Sequence, residues 1–385
     1  MRIAIEASNV LYGSSAIRRY VVNLIQHLVR IDRENSYLAF YTYFRKSPYS
    51  LLKFPDEINN FKNISSSVPA SLWWTLWNIT GYPKIESLIG NIDIFHATDF
   101  FVPPKRNARI VFTIHGISYI KAPQFYDRIF CKKSSQMLHN AIKRGDYFIA
   151  VSNKTKMETL ELYPFLEDRI RVIPLGVGEE FRVMVNRSDI SNRLKERFSI
   201  DSPYILYAGG LERSKNVLGL IEAYKLLCDK KKPEHLLIMA GNKGRHYLEI
   251  MDKVEEYGLK DSVIFTGYIE QEGDDLTLLY NGADLFVFPS FYEGWASPPL
   301  EAMKCGCPVI TSNISSLPET VDDAAIKVNP YLPEEIADAI YNVLTDGELR
   351  NNLVKKGLEW ANQFGWERTA KEHLGFYKSM CKTEQ

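Results

Sequence analysis

Short apolar runs alternate with helix-like stretches along the whole chain, and this alternation restricts the fold more than any other feature. Runs with the length and apolar character of buried strands occur at residues 2–7, 37–43, 92–96, 109–115, 147–152, 169–174, 204–209, 235–241, 262–267, 285–290 and 308–313. Strands that alternate with helices pair in parallel in doubly wound α/β sheets. We therefore expect an α/β fold with Rossmann-like sheets.

The length of the chain predicts two such sheets. At 385 residues it exceeds the size at which a single hydrophobic core usually stops growing. The polar segment 183–203 lacks a buried-strand pattern, and we interpret it as the linker region. The expected division is an N-terminal domain over residues 1–182, a C-terminal domain over 183–363 and a helical tail over 364–385.

Charge and cysteine content exclude several classes of protein. The 47 basic and 47 acidic residues cancel, so nothing indicates a nucleic-acid partner. The five cysteines show no C-x-x-C spacing, which argues against disulfides and zinc and favours reduced thiols in a cytosol. No run is long enough to cross a membrane, and the early acidic residue Glu6 argues against a signal peptide. We expect a cytoplasmic protein.

The segment 290–303 combines two carboxylates with a strand-to-helix turn. Glu293 lies in the loop and Glu301 in the first turns of the following helix, for which Ser297 is a candidate N-cap and Pro298 an early residue. In an open α/β sheet, ligands bind beyond the carboxyl ends of the strands. The two glutamates are therefore candidate ligand contacts, although an ordinary turn with two solvated acids is the better explanation of this segment taken by itself.

A second turn of this kind follows the apolar run at 204–209. Gly209 and Gly210 lead to Arg213 and Lys215, two cations able to neutralise a pyrophosphate at the carboxyl edge of the sheet. No Asp-x-Asp triplet occurs, so we expect nucleotide phosphates to be handled without a carboxylate-bound metal or any other cofactor.

Signals in the first half are weaker. A small-residue loop with Gly13, followed by Arg18 and Arg19, opens a helix and can present N–H groups to an anion; a structural turn is about as plausible. His115 ends a strongly apolar strand and would face the crevice, so a ligand contact and a structural role are about even.

Three of the six tryptophans, Trp73, Trp74 and Trp77, lie within five positions. One helix face cannot hide all three. Packing against the N-terminal domain is the simpler explanation, and contact with a membrane surface or lipid acceptor is the alternative.

Taken together, these motifs resemble the retaining glycosyltransferases of family 4, which have the GT-B fold and include mannosyltransferase-like enzymes of surface-polysaccharide and O-antigen synthesis. The resemblance extends over nearly the whole chain. The segments that carry it are 95–99, 103–104, 111–115, 171–177, 212–216, 267–268, 289–303, 308–310, 317–319 and 364–367. It implies two Rossmann-like domains that face a central cleft, with the last helix crossing back to the N-terminal domain.

The resemblance also implies roles for the residues of the donor side. Glu301 would accept hydrogen bonds from the donor ribose, and Glu293 would position the transferred sugar without acting as a nucleophile. Lys215, with Arg213, would stabilise the departing diphosphate. The remaining donor-binding positions would be Gly13, Gly209, Gly210, Tyr268, Gly294, Trp295, Ala296 and Ser297, and His115 would contact the donor sugar.

On these grounds we expect a metal-independent transferase that moves a hexosyl group from GDP-mannose or a UDP-sugar to a glycan or lipid-linked saccharide. Arg18 and Arg19 are the candidate acceptor contacts, and peripheral contact with the inner membrane face fits such an acceptor.

The chain also departs from the family pattern. The departures are Ala16 and Arg18 in the first loop, Gly116 after His115, a shifted Arg213, and Ala296 in the glutamate segment. A non-catalytic partner subunit and a nucleotide-sugar epimerase are therefore the alternatives.

Overall fold

The computed structural model describes residues 1–11, 16–43, 51–55, 58–231, 234–244, 246–269 and 273–381. The chain divides into two compact units. Unit 1 comprises Met1–Gly176 and Trp366–Gln385, and unit 2 comprises Val177–Gly365. Each unit is built on a parallel sheet with helices between its strands, which confirms the predicted fold class.

Unit 1 contains a seven-stranded sheet with the order β3-β2-β1-β4-β5-β6-β7. Its strands are β1 (Arg2–Glu6), β2 (Ser36–Thr42), β3 (Phe61–Ser66), β4 (Ile94–Ala97), β5 (Arg109–Ile114), β6 (Tyr147–Ala150) and β7 (Ile170–Val172). The helices of this part are α1 (Ala16–Ile31), α2 (Ala70–Thr80), α3 (Ile85–Ile89), α4 (Ser118–Lys121), α5 (Arg128–Arg144) and α6 (Asn153–Leu162). The strand order reverses between β1 and β4, which makes this pair the switch point of the sheet.

Unit 2 contains a six-stranded sheet with the order β10-β9-β8-β11-β12-β13. Its strands are β8 (Tyr204–Ala208), β9 (Leu236–Ala240), β10 (Val263–Gly267), β11 (Leu285–Phe288), β12 (Val309–Ser312) and β13 (Ile326–Val328). Its helices are α7 (Arg187–Phe198), α8 (Val217–Lys231), α9 (Tyr247–Glu256), α10 (Asp275–Gly282), α11 (Ser297–Lys304), α12 (Leu317–Val321), α13 (Pro333–Thr345) and α14 (Gly347–Ala361). Here the switch point lies between β8 and β11.

The central strands are buried along their whole length. Every residue of β4, β8, β11 and β12 is buried, and β8 and β11 are accordingly continuous apolar runs in the sequence. The edge strand β3 is different, because its polar sequence FKNISS is only partly covered. No helix within the described ranges is long and apolar enough to cross a membrane.

The last helix, α15 (Trp366–Cys381), belongs to unit 1 and packs against α1. A buried hydrogen-bond network joins it to the sheet. The hydroxyl of Tyr377 lies 2.6 Å from Nδ1 of His96, and the hydroxyl of Tyr20 lies 2.9 Å from Nε2 of His373. Both histidines are fully buried.

The interpretation of residues 183–203 as a linker is wrong. This segment contains α7, whose buried Ile190 and Leu194 are four positions apart on one helix face, and α7 packs against α10 in unit 2. The chain passes from unit 1 to unit 2 between Gly176 and Val177, before the expected boundary after residue 182.

Candidate functional site

The segment that contains Lys215 and the segment that contains Glu293 meet at the switch point of unit 2. Strands β8 and β11 are parallel neighbours, so the segments that follow them leave from the same edge of the sheet. The backbone N–H of Phe291 donates to the carbonyl of Ser214 at 2.9 Å, which ties the two segments together. Their side chains are therefore placed at one site.

Lys215 and Glu293 form an ion pair at this site. Nζ of Lys215 lies 2.6 Å from Oε1 and 2.8 Å from Oε2 of Glu293, and the glutamate side chain is only 10% exposed. Oγ of Ser290 also donates to Oε1 at 2.6 Å. Both carboxylate oxygens of Glu293 thus accept hydrogen bonds, which hold the carboxylate in place.

The backbone of Glu293 is held by two serines that sequence reasoning missed. Its N–H donates to Oγ of Ser315 at 3.0 Å. Its carbonyl accepts from Oγ of Ser315 at 2.8 Å and from Oγ of Ser316 at 2.9 Å. The only sequence signal for this support is the serine-rich stretch after the apolar run at 308–313.

Glu301 is buried on the first turns of α11. It is 2% exposed, and its Oε2 accepts a hydrogen bond from the hydroxyl of Tyr280 at 3.1 Å. The helix begins at Ser297 itself, so the assignment of Ser297 as N-cap is wrong. Ala296 occupies the N-cap and has no side-chain oxygen, whereas Pro298 lies in the first turn as predicted.

In the segment between Glu293 and Glu301, the largest side chain, that of Trp295, is buried inside unit 2. The ring of Trp295 packs against Phe364 with 5.5 Å between centroids, and its Nε1 is buried without a hydrogen-bond partner among the described residues. Gly294 and Ala296 are buried as well. The contribution that this segment can make to a ligand therefore comes mainly from its backbone.

The loop after β8 comes into close contact with the backbone at Gly241, directly after β9. A Cβ atom at Gly241 would lie 1.8 Å from the carbonyl oxygen of Gly209, so the two backbones touch at this point. At Gly210 the nearest atom to such a Cβ lies 3.7 Å away, which leaves room beside this residue.

The remaining cation of unit 2, Arg213, pairs with another carboxylate, and the aromatic candidate, Tyr268, is exposed. Arg213 forms an exposed ion pair with Glu249 of α9, with Nη2 2.9 Å from Oε2. Tyr268 follows the edge strand β10 and is 38% exposed.

In unit 1, His115 follows β5. Its Nε2 lies 2.9 Å from the carbonyl oxygen of Thr98, and since a carbonyl only accepts, the proton is on Nε2 and Nδ1 carries the lone pair. Burial lowers the pKa of His115, and the charge of Asp99 opposes this effect. The neutral ring can therefore accept a hydrogen bond from a hydroxyl through Nδ1.

A buried carboxyl group that sequence reasoning did not select lies at the switch point of unit 1. Glu6 ends β1, is 1% exposed and accepts hydrogen bonds from the Ser8 N–H at 2.8 Å and the Thr98 hydroxyl at 2.9 Å. Burial raises its pKa. A carboxylate at the end of an otherwise apolar strand was the available signal.

The first-loop candidates are only partly described. Gly13 lies outside the described residues. Arg18 and Arg19 lie in the first turn of α1, where Nε of Arg18 donates to the carbonyl of Val10 at 3.4 Å.

Two family descriptions match nearly the whole chain. The family Glycosyl transferases group 1 matches residues 189–360, and the family Glycosyltransferase Family 4 matches residues 17–181. The O-antigen chain mannosyltransferase B of Escherichia coli is 32% identical over 286 residues, which cover 74% of this chain and 74% of that protein. The serotype-specific mannosyltransferase WbdA of Escherichia coli is 36% identical over 245 residues, or 63% of this chain, but this match spans only 30% of that longer protein.

Solved structures share the architecture. The sucrose-phosphate synthase of Thermosynechococcus elongatus aligns over 98% of both chains with a TM-score of 0.79 and 20% identity, a likeness that shows the fold alone. The fold, the family matches and the mannosyltransferase relative agree with the resemblance found in the sequence. The chain belongs to the glycosyltransferases of group 1 and family 4 and is a hexosyltransferase with the GT-B fold.

Proposed function

We propose that this enzyme transfers mannose from a nucleotide-diphosphate sugar, with GDP-mannose as the first candidate, to a lipid-linked saccharide of O-antigen synthesis. The observation that carries the proposal is the Lys215–Glu293 pair, held at the switch point of unit 2. The choice of mannose is supported by the mannosyltransferase relatives.

The donor side of the reaction would be divided among three side chains. Lys215 carries the positive charge that a departing diphosphate requires, and an ammonium held beside the leaving group stabilises the charge that develops there. Glu301 offers a carboxylate that accepts hydrogen bonds from the ribose hydroxyls. Glu293 would accept a hydrogen bond from the transferred sugar and orient it.

The environment of Glu293 supports a positioning role and retention without a covalent intermediate. A nucleophilic carboxylate needs a free lone pair aimed at the anomeric carbon. In Glu293 both oxygens accept hydrogen bonds from Lys215, and Ser290 adds another to Oε1. These contacts hold both oxygens of the carboxylate in place, so it is better suited to fixing a hydroxyl than to attacking carbon.

We also propose that no metal ion takes part. Across the described ranges no three or more His, Cys, Asp or Glu side chains lie together as a metal would need. Lys215 supplies the positive charge that a cation would otherwise bring to the diphosphate. Excess chelator should then leave the transfer rate unchanged.

Other residues would complete the donor site around these three side chains. Gly209, Gly210 and the backbone of 294–297 would line the donor, Tyr268 would face the base, and His115 would accept from a donor hydroxyl through Nδ1. We place the enzyme in the cytoplasm, at the inner face of the membrane that carries its acceptor.

The experiment is a binding panel of GDP-, UDP- and dTDP-sugars, read by calorimetry on the wild type and on Glu301→Ala. We expect GDP-mannose to bind and the variant to lose affinity by about tenfold or more, because a hydrogen bond to a charged group is worth roughly 1.5–3 kcal/mol. Failure of every donor to bind, or an unchanged affinity in the variant, would refute the assignment.

A further inference from the structure

A cavity of about 770 Å³ lies in unit 1 at the amino-terminal ends of three neighbouring strands. Arg109 begins β5, Tyr147 begins β6 and Ile170 begins β7, and all three residues line the cavity. His115 and Glu6 lie at the carboxyl ends of their strands, which form the opposite edge of this parallel sheet. Since the substrates of open α/β sheets bind beyond the carboxyl ends, the proposed transfer reaction does not account for this cavity.

The register of the sheet places two arginines and a tyrosine on one wall of the cavity. Val111 pairs with Tyr147, and Ile149 pairs with Arg171. Side chains two positions apart on a strand share a face, so Arg109, Tyr147 and Arg171 project from the same face of β5, β6 and β7. The two arginines therefore lie on the strands to either side of the tyrosine.

The last turns of α15 form another wall. Phe376, Ser379 and Met380 of this helix line the cavity. The ring of Phe376 meets that of Tyr147 edge to face, with 6.1 Å between centroids. The helix and the sheet thus pack against each other beside the cavity through two aromatic rings.

Positive charge predominates among the side chains that line the cavity. The cations are Lys105, Arg109, Arg169 and Arg171, and the acids are Asp146 and Asp168. Asp146 is already engaged, because it forms an ion pair with Lys105 and its Oδ2 accepts from the N–H of Ile110 at 2.8 Å. Asp168 is the one other acid among the described lining residues.

Arg169 and Arg171 are held by aromatic rings and not by carboxylates. The guanidinium carbon of Arg169 lies 5.6 Å from the ring centroid of Phe165, and that of Arg171 lies 5.6 Å from the ring centroid of Phe376. Within the described part of the chain neither arginine forms an ion pair. A guanidinium that stacks on a ring keeps the N–H groups in its own plane available as donors.

The nearby end of α15 does not explain this charge. The C-terminus of a helix attracts cations with a partial charge of only about half an elementary charge, which is too little to balance two arginines. The two guanidinium groups therefore have the capacity to bind a further anion at the cavity.

A phosphate monoester that carries a sugar matches the lining. Guanidinium groups donate paired hydrogen bonds to phosphate oxygens. The exposed side chains of Asp168 and Asn107 can bind hydroxyl groups, and Tyr147 and Phe376 offer ring surface to the apolar face of a sugar or to a base. The volume falls in the range of about 300–1,000 Å³ that is usual for small-molecule sites.

We propose that this cavity binds an organic phosphate through Arg169 and Arg171, namely a sugar phosphate that is either free or part of a nucleotide. The cavity lies in unit 1, whereas the proposed donor site lies in unit 2. Binding here goes beyond the proposed function and requires neither the donor nor the acceptor.

The test is calorimetric titration of the full chain with inorganic phosphate, ribose 5-phosphate and AMP, at pH 7.5 and constant ionic strength. Arg169→Met and Arg171→Met remove one guanidinium each and leave a flexible apolar side chain against the aromatic rings. Arg33→Met, at an exposed position of unit 1 outside the cavity lining, is the matched control. Glu301→Ala reports binding at the donor site instead, and circular dichroism checks that each variant is folded.

We expect ribose 5-phosphate and AMP to bind the wild type, Arg33→Met and Glu301→Ala with equal affinity. Arg169→Met and Arg171→Met should each bind both probes at least about tenfold more weakly, because each loses hydrogen bonds to a charged group. Tighter binding of AMP than of ribose 5-phosphate would identify a nucleotide as the source of the phosphate, and equal affinity would identify a free sugar phosphate.

Absence of binding by both organic probes overturns the proposal, and so does an affinity that neither cavity variant changes. Loss of binding in Glu301→Ala alone would place the probes at the donor site. Inorganic phosphate that binds as tightly as ribose 5-phosphate would reduce the cavity to a site for an adventitious ion only. Because the cavity variants leave Glu301 and Lys215 intact and no nucleotide sugar is present, these outcomes are independent of the donor-binding panel.

Discussion

Lys215 and Glu293 form a partly buried ion pair: Nζ of the lysine lies 2.6 Å from Oε1 and 2.8 Å from Oε2 of the glutamate, although the residues are 78 positions apart. The lysine side chain is 24% exposed and the glutamate 10%. Removing one member of such a pair leaves the other charge partly buried without its partner. Substitutions here should therefore affect both the chemistry and the local electrostatics.

The first prediction concerns the lysine. Lys215→Ala should lower kcat by about a hundredfold or more, because the leaving diphosphate loses a preorganised positive charge. Steady-state kinetics measure the effect. Lys225→Ala is the control, since its exposed pair with Asp229 lies on α8.

The complementary substitution distinguishes a positioning role from that of a nucleophile. Glu293→Gln keeps the size of the side chain and the ability to accept from a hydroxyl. We expect reduced turnover with donor binding largely retained, and no sugar bound covalently to the wild type under mass spectrometry. A trapped glycosyl-enzyme at Glu293 would contradict the role assigned here.

The second prediction concerns the support of Glu301. Tyr280→Phe removes the hydroxyl that donates to Oε2 of Glu301 at 3.1 Å in a buried environment. The KM for the donor should rise several-fold with a smaller change in kcat, because the carboxylate stays but is less well oriented. Tyr257→Phe, at the end of α9, serves as a control. An unchanged KM would show that Tyr280 does not position the glutamate.

The third prediction separates packing from ligand approach in the glycine loop. Gly210→Ala should leave the free energy of unfolding nearly unchanged, since the nearest atom to the new Cβ lies 3.7 Å away. Donor affinity should nevertheless fall about tenfold if the diphosphate approaches this backbone. Gly241→Ala should instead prevent stable folding of unit 2, because its Cβ would lie 1.8 Å from the carbonyl oxygen of Gly209. Wild-type donor affinity in Gly210→Ala would remove Gly210 from the donor site.

The fourth prediction concerns pH and the buried histidines of unit 1. Burial lowers the pKa of His373 to about 4 and holds that of His96 well below its ordinary value of 6.5. Between about pH 4 and 6.5 the unfolded chain therefore binds more protons than the folded one, and the free energy of unfolding falls as the pH drops. For His373 alone the loss is on the order of 3 kcal/mol.

Urea unfolding between pH 4.5 and 7.5 measures this dependence. His373→Gln should be less stable at pH 7.5, because Tyr20 loses the imidazole acceptor at 2.9 Å. Its free energy of unfolding should also depend less steeply on pH than that of the wild type, because up to one proton fewer is taken up on unfolding. His27→Gln, on α1, is the control. Equal pH dependence in His373→Gln and the wild type would contradict the prediction.

The sequence was sufficient to predict the sheets where strands are buried on both faces. Runs such as residues 204–208 are apolar at every position because β8 lies in the middle of its sheet. The sequence did not predict β3, because an edge strand can carry polar residues such as those of FKNISS. It did not predict β13 either, because that strand has only three residues. It also failed for α7, whose helical spacing of Ile190 and Leu194 was present but was outweighed by the polar composition.

At the site, the sequence indicated which residues belong to the two turns but not which of them pair. Arg213 and Lys215 were expected to act together, yet they lie in one 3₁₀ turn, where side chains two positions apart point in different directions. Arg213 accordingly pairs with Glu249, and Lys215 with Glu293. Such partners, like Ser315 and Ser316, depend on loops far apart in sequence.

Mannose transfer from GDP-mannose to a lipid-linked saccharide, followed by NMR of the product in the presence of excess chelator, tests the central claim most directly. We predict that the wild type forms an α-mannoside, retaining the configuration of the donor, and that Lys215→Ala lowers the rate by about a hundredfold. A β-linked product, transfer that stops when metal is removed, or an undiminished rate in Lys215→Ala would contradict the account.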